Sequence, residues 1–192
     1  MKSVEEVLTG RHKGERIYVL GNGPSREDWT FPGDGIVVAC NAAYRGIGVR
    51  IDYLVVNDSN MLEEVLLAGW EYPLLTRNDY VCRQAIKTTG ARPPEQFYCG
   101  RPTFQVYSSQ NSGVFATYCA LVMGGDPVDL IGFDGGEANI YKGTPCYPEH
   151  RKISPSETGN RKAMLEMQRK FPDQPIRVRP PSFLSKVLPP MR

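Results

Sequence analysis

A chain of 192 residues, 41% hydrophobic and 23% charged, has the composition of one globular domain, and at that length it buries roughly 70% of its unfolded surface. Its net charge of +2 gives no reason to expect a nucleic-acid partner. No charged-then-apolar leader opens it, and no apolar run nears the roughly 20 residues that span a bilayer, so the expectation is a soluble, cytoplasmic protein without membrane insertion.

In chain order, short apolar runs at 16–20, 36–39, 53–56, 73–75, 96–98, 128–133 and 176–178 predict strands. Between them, 61–68, 79–87, 112–123 and 156–170 predict helices. Alternation of this kind indicates βαβ units, and several strands are apolar throughout, as required when helices cover both faces. The predicted fold class is α/β: a Rossmann-like, mostly parallel sheet of about seven strands, forming a single domain over 1–192 with a short lid at about 135–152. The five cysteines carry no C-x-x-C spacing and read as reduced, buried thiols; two histidines are too few for a histidine-built zinc site.

In open α/β sheets ligands bind at the carboxyl ends of the strands. That rule selects the elbow Gly21-Asn22-Gly23-Pro24-Ser25, then Cys40-Asn41, Asn57-Asp58 and Asp134-Gly135-Gly136. Three of these four ends carry an asparagine, whose amide offers both donor and acceptor to a base or ribose edge; asparagine is also an ordinary turn residue. In "VLGNGPSR", Gly21 and Gly23 allow a ligand to approach the backbone, Pro24 starts the next helix or turn and Ser25 is a candidate cap. An NAD turn does not fit, because Arg26 replaces the third glycine and the second strand ends in Cys40-Asn41 rather than an acidic residue. A Walker turn does not fit either, since no Gly-Lys-Ser/Thr follows. A tight strand-to-helix turn with no ligand remains the other reading of the elbow.

A second candidate is "QNSGVFATYCALVMGG", where Asn111 or Ser112 caps a helix and Gly113 leaves first-turn amides open to an anion; a capped core helix without ligand fits equally. The third is "GFDGGEANIYKGTPCYPEHRK", a glycine- and tyrosine-containing lid with His150 as a candidate general base, or a solvated loop histidine. His12 lies far from the strand ends and reads as surface.

Taken together and in order, "YVLGNGPS", "CN", "VVND", "NSGVFATYCALVMGGDPVDLIGFD" and "HRK" resemble the bacterial lipooligosaccharide sialyltransferases, glycosyltransferase family 42, from about residue 16 to 182. The resemblance implies a Rossmann-type GT-A variant fold and an inverting transfer from a CMP-sugar without metal or other cofactor. It matches Asn22, Asn41 and Asn57 to asparagines lining the nucleotide site and Ser112 and Gly113 to the helix start beside it. Gly132, Phe133 and Asp134 match the strand end facing the cytidine. Tyr147 and His150, in "YPEH", match a phosphate-binding tyrosine and the catalytic base, with Tyr141 as a second such tyrosine. The partners so implied are a nucleotide or sugar nucleotide and an acceptor that the residues leave unidentified, with a homo-oligomer as the assembly tetramers in that family suggest. The elbow also resembles the archaeal-type 6-hydroxymethylpterin diphosphokinases, which would need Mg²⁺ at Asp58 and Asp134. Short phage-borne proteins of this form supply a third reading, a non-catalytic nucleotide binder.

Overall fold

The computed structural model describes residues 4–46, 48–100, 111–135, 139–149 and 157–191. Seven strands pair in parallel throughout: β1 (Ile17–Leu20), β2 (Ile36–Cys40), β3 (Tyr53–Val55), β4 (Leu74–Thr76), β5 (Phe97–Cys99), β6 (Val128–Ile131) and β7 (Ile176–Val178). Their order in the sheet is β5-β4-β3-β2-β1-β6-β7. Among the described residues five α-helices accompany them: α1 (Val4–Leu8), α2 (Ser59–Leu67), α3 (Asp79–Thr89), α4 (Ser112–Val122) and α5 (Glu157–Lys170). The α/β class and the parallel sheet are as the alternating runs predict. The short helix α1 is additional, and Ser156 of the last predicted helix lies outside the described residues.

Both faces of the sheet are buried, and the two-residue alternation of a strand divides its side chains between them. Ile17, Val19, Val38, Tyr53, Val128, Leu130 and Ile176 pack with α1, α4 and α5. Tyr18, Leu20, Val37, Ala39, Leu54, Leu74 and Ile131 pack on the other side, with α2 and α3. Helix α4 is apolar all round because it is surrounded: Ser112 to Leu121 are all buried. One charge enters the interior of the sheet. Asp129, on β6, is fully buried, and Arg177 on β7 forks onto it at 2.6 and 2.7 Å, which supplies the partner that burial demands.

From β1 the chain builds outward through β2 to β5, then returns to place β6 on the other side of β1. The strand order therefore reverses between β1 and β6, and in an open α/β sheet that reversal makes a crevice at the carboxyl ends. Strand β6 stops at Ile131, two residues before the predicted end, because Gly132 turns the backbone to φ +75°. No helix among the described residues is long and apolar enough to cross a membrane.

Candidate functional site

The elbow follows β1 directly into this crevice. The Gly21 amide donates to the Ile131 carbonyl at 2.7 Å and the Gly23 amide to the Gly132 carbonyl at 2.9 Å, so β1 and β6 stay paired beyond their strands. A Cβ on Gly21 would stand 2.4 Å from the Gly132 oxygen, and one on Gly23 would stand 1.8 Å from Asp134 Oδ2. Both glycines are thus required by the approach of the β6 end. Pro24 opens a short 3₁₀ helix, Pro24–Arg26, as expected. Ser25 does not cap it. Its amide and hydroxyl instead donate to Asp134 Oδ2 at 3.1 and 3.0 Å, and its oxygen accepts from the Gly132 amide at 3.2 Å. Burial raises the Asp134 carboxyl above its ordinary range, against the two bonds from Ser25, which lower it.

Of the three asparagines, Asn22 and Asn41 share one neighbour. Asn22 Nδ2 donates to the Tyr147 hydroxyl at 3.1 Å, and its carbonyl accepts from the Ile140 amide at 3.0 Å, which fastens the segment 139–149 over the elbow. Asn41 takes φ +50°, a conformation asparagine tolerates, and points Nδ2 to Asp58 Oδ2 at 3.3 Å. Burial raises the Tyr147 phenol well above its usual value, Asp58 and Cys40 add to that, and the Asn22 and Asn41 amides oppose it by hydrogen bonding. Asn57 turns to the neighbouring strand: its Oδ1 accepts from the Arg77 amide at 3.1 Å and so ties the end of β3 to the end of β4. Buried polar atoms left without a partner include Asn22 Oδ1, Asn41 Oδ1, Asn57 Nδ2 and Asp134 Oδ1, all along this one edge.

Two arginines that the sequence motifs do not single out as ligands carry the segment above the edge. Arg26 is buried and donates to the carbonyls of Gly21 and Ala43 at 3.2 and 3.1 Å and to the Tyr141 hydroxyl. Arg45 pairs with Glu64 on α2 and donates to Thr144 Oγ1 at 2.6 Å and to the Pro145 carbonyl at 3.1 Å. Both guanidinium groups stack on the Tyr141 ring, at 5.3 and 5.7 Å from its centre. The Tyr141 hydroxyl gives its single proton to the Arg45 carbonyl at 2.8 Å and accepts from Arg26. In this arrangement the Tyr141 hydroxyl is engaged inside the chain, with its proton on the Arg45 carbonyl.

The start of α4 is capped by one of its two candidates. Asn111 is the cap, and its Oδ1 accepts from the Gly113 and Val114 amides at 2.8 and 3.2 Å. Those are the amides expected to face an anion, and they are taken. Gly113 is small for another reason, since a Cβ there would meet Phe133 Cε1 at 2.8 Å. Ser112 is buried at the same turn. Phe133 therefore joins the α4 start to the β6 end.

His150 lies outside the described residues, as does Gly136. His12 is not a free surface group: its ring bonds Glu15 at 3.0 Å and the Tyr53 hydroxyl at 2.9 Å, at the amino end of β3 and away from the crevice. None of the five cysteines is joined in a disulfide, and burial pushes Cys40 up to about 12. A cavity of about 550 Å³ opens between the start of α2 and the segment above it, lined by Asp58, Asn60, Thr144, Cys146 and Tyr147 among others. Its size suits a small molecule. No group of three or more histidine, cysteine, aspartate or glutamate side chains among the described residues is placed to hold a metal ion. The two acids considered for Mg²⁺, Asp58 and Asp134, bond to Asn41 and to Ser25 respectively.

Solved structures with this architecture include several of the sialyltransferase CstII. A variant of that enzyme in complex with CMP superposes with a TM-score of 0.66 at 16% identity, over 93% of this chain and 87% of that one. Monomeric CstII gives 0.66 at 18% identity, over 93% and 86%. CstII from Campylobacter jejuni in complex with the substrate analogue CMP-3FNeuAc gives 0.62 at 17% identity, again over 93% and 86%. Likeness at this identity is a likeness of fold. No family model matches the sequence, and no curated protein does.

Proposed function

We propose that this protein binds a cytidine nucleotide at the carboxyl edge of β1, β2, β3 and β6 and transfers a sugar from a CMP-sugar donor to an acceptor hydroxyl. The observation that carries the reading is the row of buried, unpartnered polar atoms on Asn22, Asn41, Asn57 and Asp134, along the carboxyl edge from β3 to β6. Unsatisfied buried polar atoms are costly, and a ligand carrying both donors and acceptors would satisfy them. The base comes from the fold likeness, since the similar structures hold CMP or CMP-3FNeuAc.

In this reading Gly132, Phe133 and Asp134 face the cytidine, with Ser112 and Gly113 behind them, and the asparagines read the base or ribose. Gly21, Gly23, Pro24 and Ser25 form the floor. The acceptor oxygen attacks the anomeric carbon as its proton passes to His150, and the bond to the phosphate oxygen breaks with its electron pair leaving on CMP. Tyr147, oriented by Asn22, donates to the departing phosphate and takes the part that a metal plays elsewhere. The reaction inverts the anomeric centre and needs no divalent ion.

Calorimetry on the full chain in EDTA tests this. CMP or CDP is expected to bind more tightly than ATP, and added Mg²⁺ to change nothing. Binding of ATP alone, and only with Mg²⁺, would transfer the protein to the diphosphokinase reading.

A further inference from the structure

The side chain of Arg26 stands where a dinucleotide turn keeps its third glycine, and the residue is 7% exposed. Its three hydrogen-bond acceptors are neutral: the carbonyls of Gly21 and Ala43 and the hydroxyl of Tyr141. Among the described residues no carboxylate pairs with it. Glu64 is committed to Arg45, Asp134 to Ser25, and Asp58 receives Asn41. A guanidinium held in the interior without a counter-charge is expensive, and an anionic ligand bound beside it would supply the missing negative charge. The place of the charge narrows the ligand. It sits directly beneath the elbow, between the chain leaving β1 and the turn after β2, and its field reaches the end of β2, where it draws the Cys40 thiol down against the effect of burial.

We infer that Arg26 is the buried counter-charge for an anionic phosphate bound over the elbow, an inference that rests on the nucleotide site proposed above. It is a positioning residue. The charge acts across a short path of low polarity, while the fork holds the Gly21 and Ala43 carbonyls inward, so that carbonyl oxygens do not confront the oxygens of the ligand. Tyr141, stacked between Arg26 and Arg45, couples this charge to the segment that carries Tyr147.

The test compares a phosphorylated with an unphosphorylated nucleoside. Wild type, Arg26→Gln, Arg26→Met and Arg26→Lys full-length chains are titrated with CMP, cytidine and inorganic pyrophosphate in EDTA, with thermal melts of each ligand-free variant confirming the fold. The neutral variants are expected to lose about tenfold or more in CMP affinity while cytidine changes by less than about twofold, and Arg26→Lys to retain most of the CMP affinity. Equal losses for CMP and cytidine mean a merely structural arginine and overturn the inference, as does unchanged CMP affinity in the neutral variants. If wild type binds pyrophosphate but not CMP, and the neutral variants lose pyrophosphate, the counter-charge stands and the cytidine reading falls. Binding of neither anion by wild type overturns both.

Discussion

Ser25 and Asp134, 109 residues apart, are joined by two bonds to a single carboxylate oxygen, from the Ser25 amide at 3.1 Å and its hydroxyl at 3.0 Å. This clamp closes the elbow on the end of β6 and leaves the second carboxylate oxygen of Asp134 buried without a partner. Gly23 lies against the same carboxylate, where a Cβ would come within 1.8 Å of it. Gly23→Ala therefore drives the clamp apart, and it is expected to cost about 1–3 kcal/mol, the usual range for forced overpacking. Denaturant titration measures it. An unchanged midpoint would show that the elbow and the β6 end are not held together as described.

The Asp134 carboxyl carries a pH signature of its own. Burial raises its folded-state value above the ordinary carboxylate range, so between the two values the folded chain holds more protons than the unfolded one. Stability contributed by this group is present below the ordinary value and declines as pH rises through the window to the raised one, then levels off. Thermal melts of wild type and Asp134→Asn across that range, taken as a difference, are expected to show this downward step. A difference that rises with pH would mean that the Ser25 bonds outweigh burial.

Arg45 links Glu64 on α2 to Thr144 and Pro145 in the segment above the edge. Both charges are only partly buried, so breaking the pair costs less than the several kcal/mol of a fully buried one, and about 1–2 kcal/mol is expected. The effect is local. Arg45→Ala should speed hydrogen exchange at the Ile140 and Gly143 amides, which bond to Asn22 and Tyr147, while β1 and β6 keep their protection. Uniform acceleration across the sheet would assign Arg45 to global stability instead.

Tyr147 and His150 divide the proposed chemistry between binding and proton transfer. Tyr147→Phe removes the hydroxyl that Asn22 orients and is expected to weaken CMP by about tenfold, the loss of one bond to a charged group. His150→Ala is expected to leave CMP affinity nearly intact and to lower turnover of a CMP-sugar by about 10²–10⁴-fold. Equal turnover in wild type and His150→Ala removes this histidine from the mechanism.

All seven strands, the four longer helices and the carboxyl edge as the place to look follow from the sequence alone. These are local properties: an apolar run of strand length, a helical spacing of apolar residues, and glycine or asparagine where each run stops. The asparagines at 22, 41 and 57 could be read as edge residues for that reason. Only the tertiary structure decided what each of them does, because their partners lie far away in sequence. Asn22 meets Tyr147 from 125 positions away, whereas Asn57 spends its carbonyl on the Arg77 amide. The approach of Phe133 to Gly113 is invisible in the sequence, and Ser25 reads as a cap until Asp134 arrives beside it. Arg26 was visible in the sequence as a missing glycine, but its burial without a counter-charge exists only once the elbow, the turn after β2 and Tyr141 fold around it. Periodicity records which surface a segment must bury. It carries no record of which distant polar group will meet a given side chain there, and that meeting is settled by the return of β6 to the side of β1.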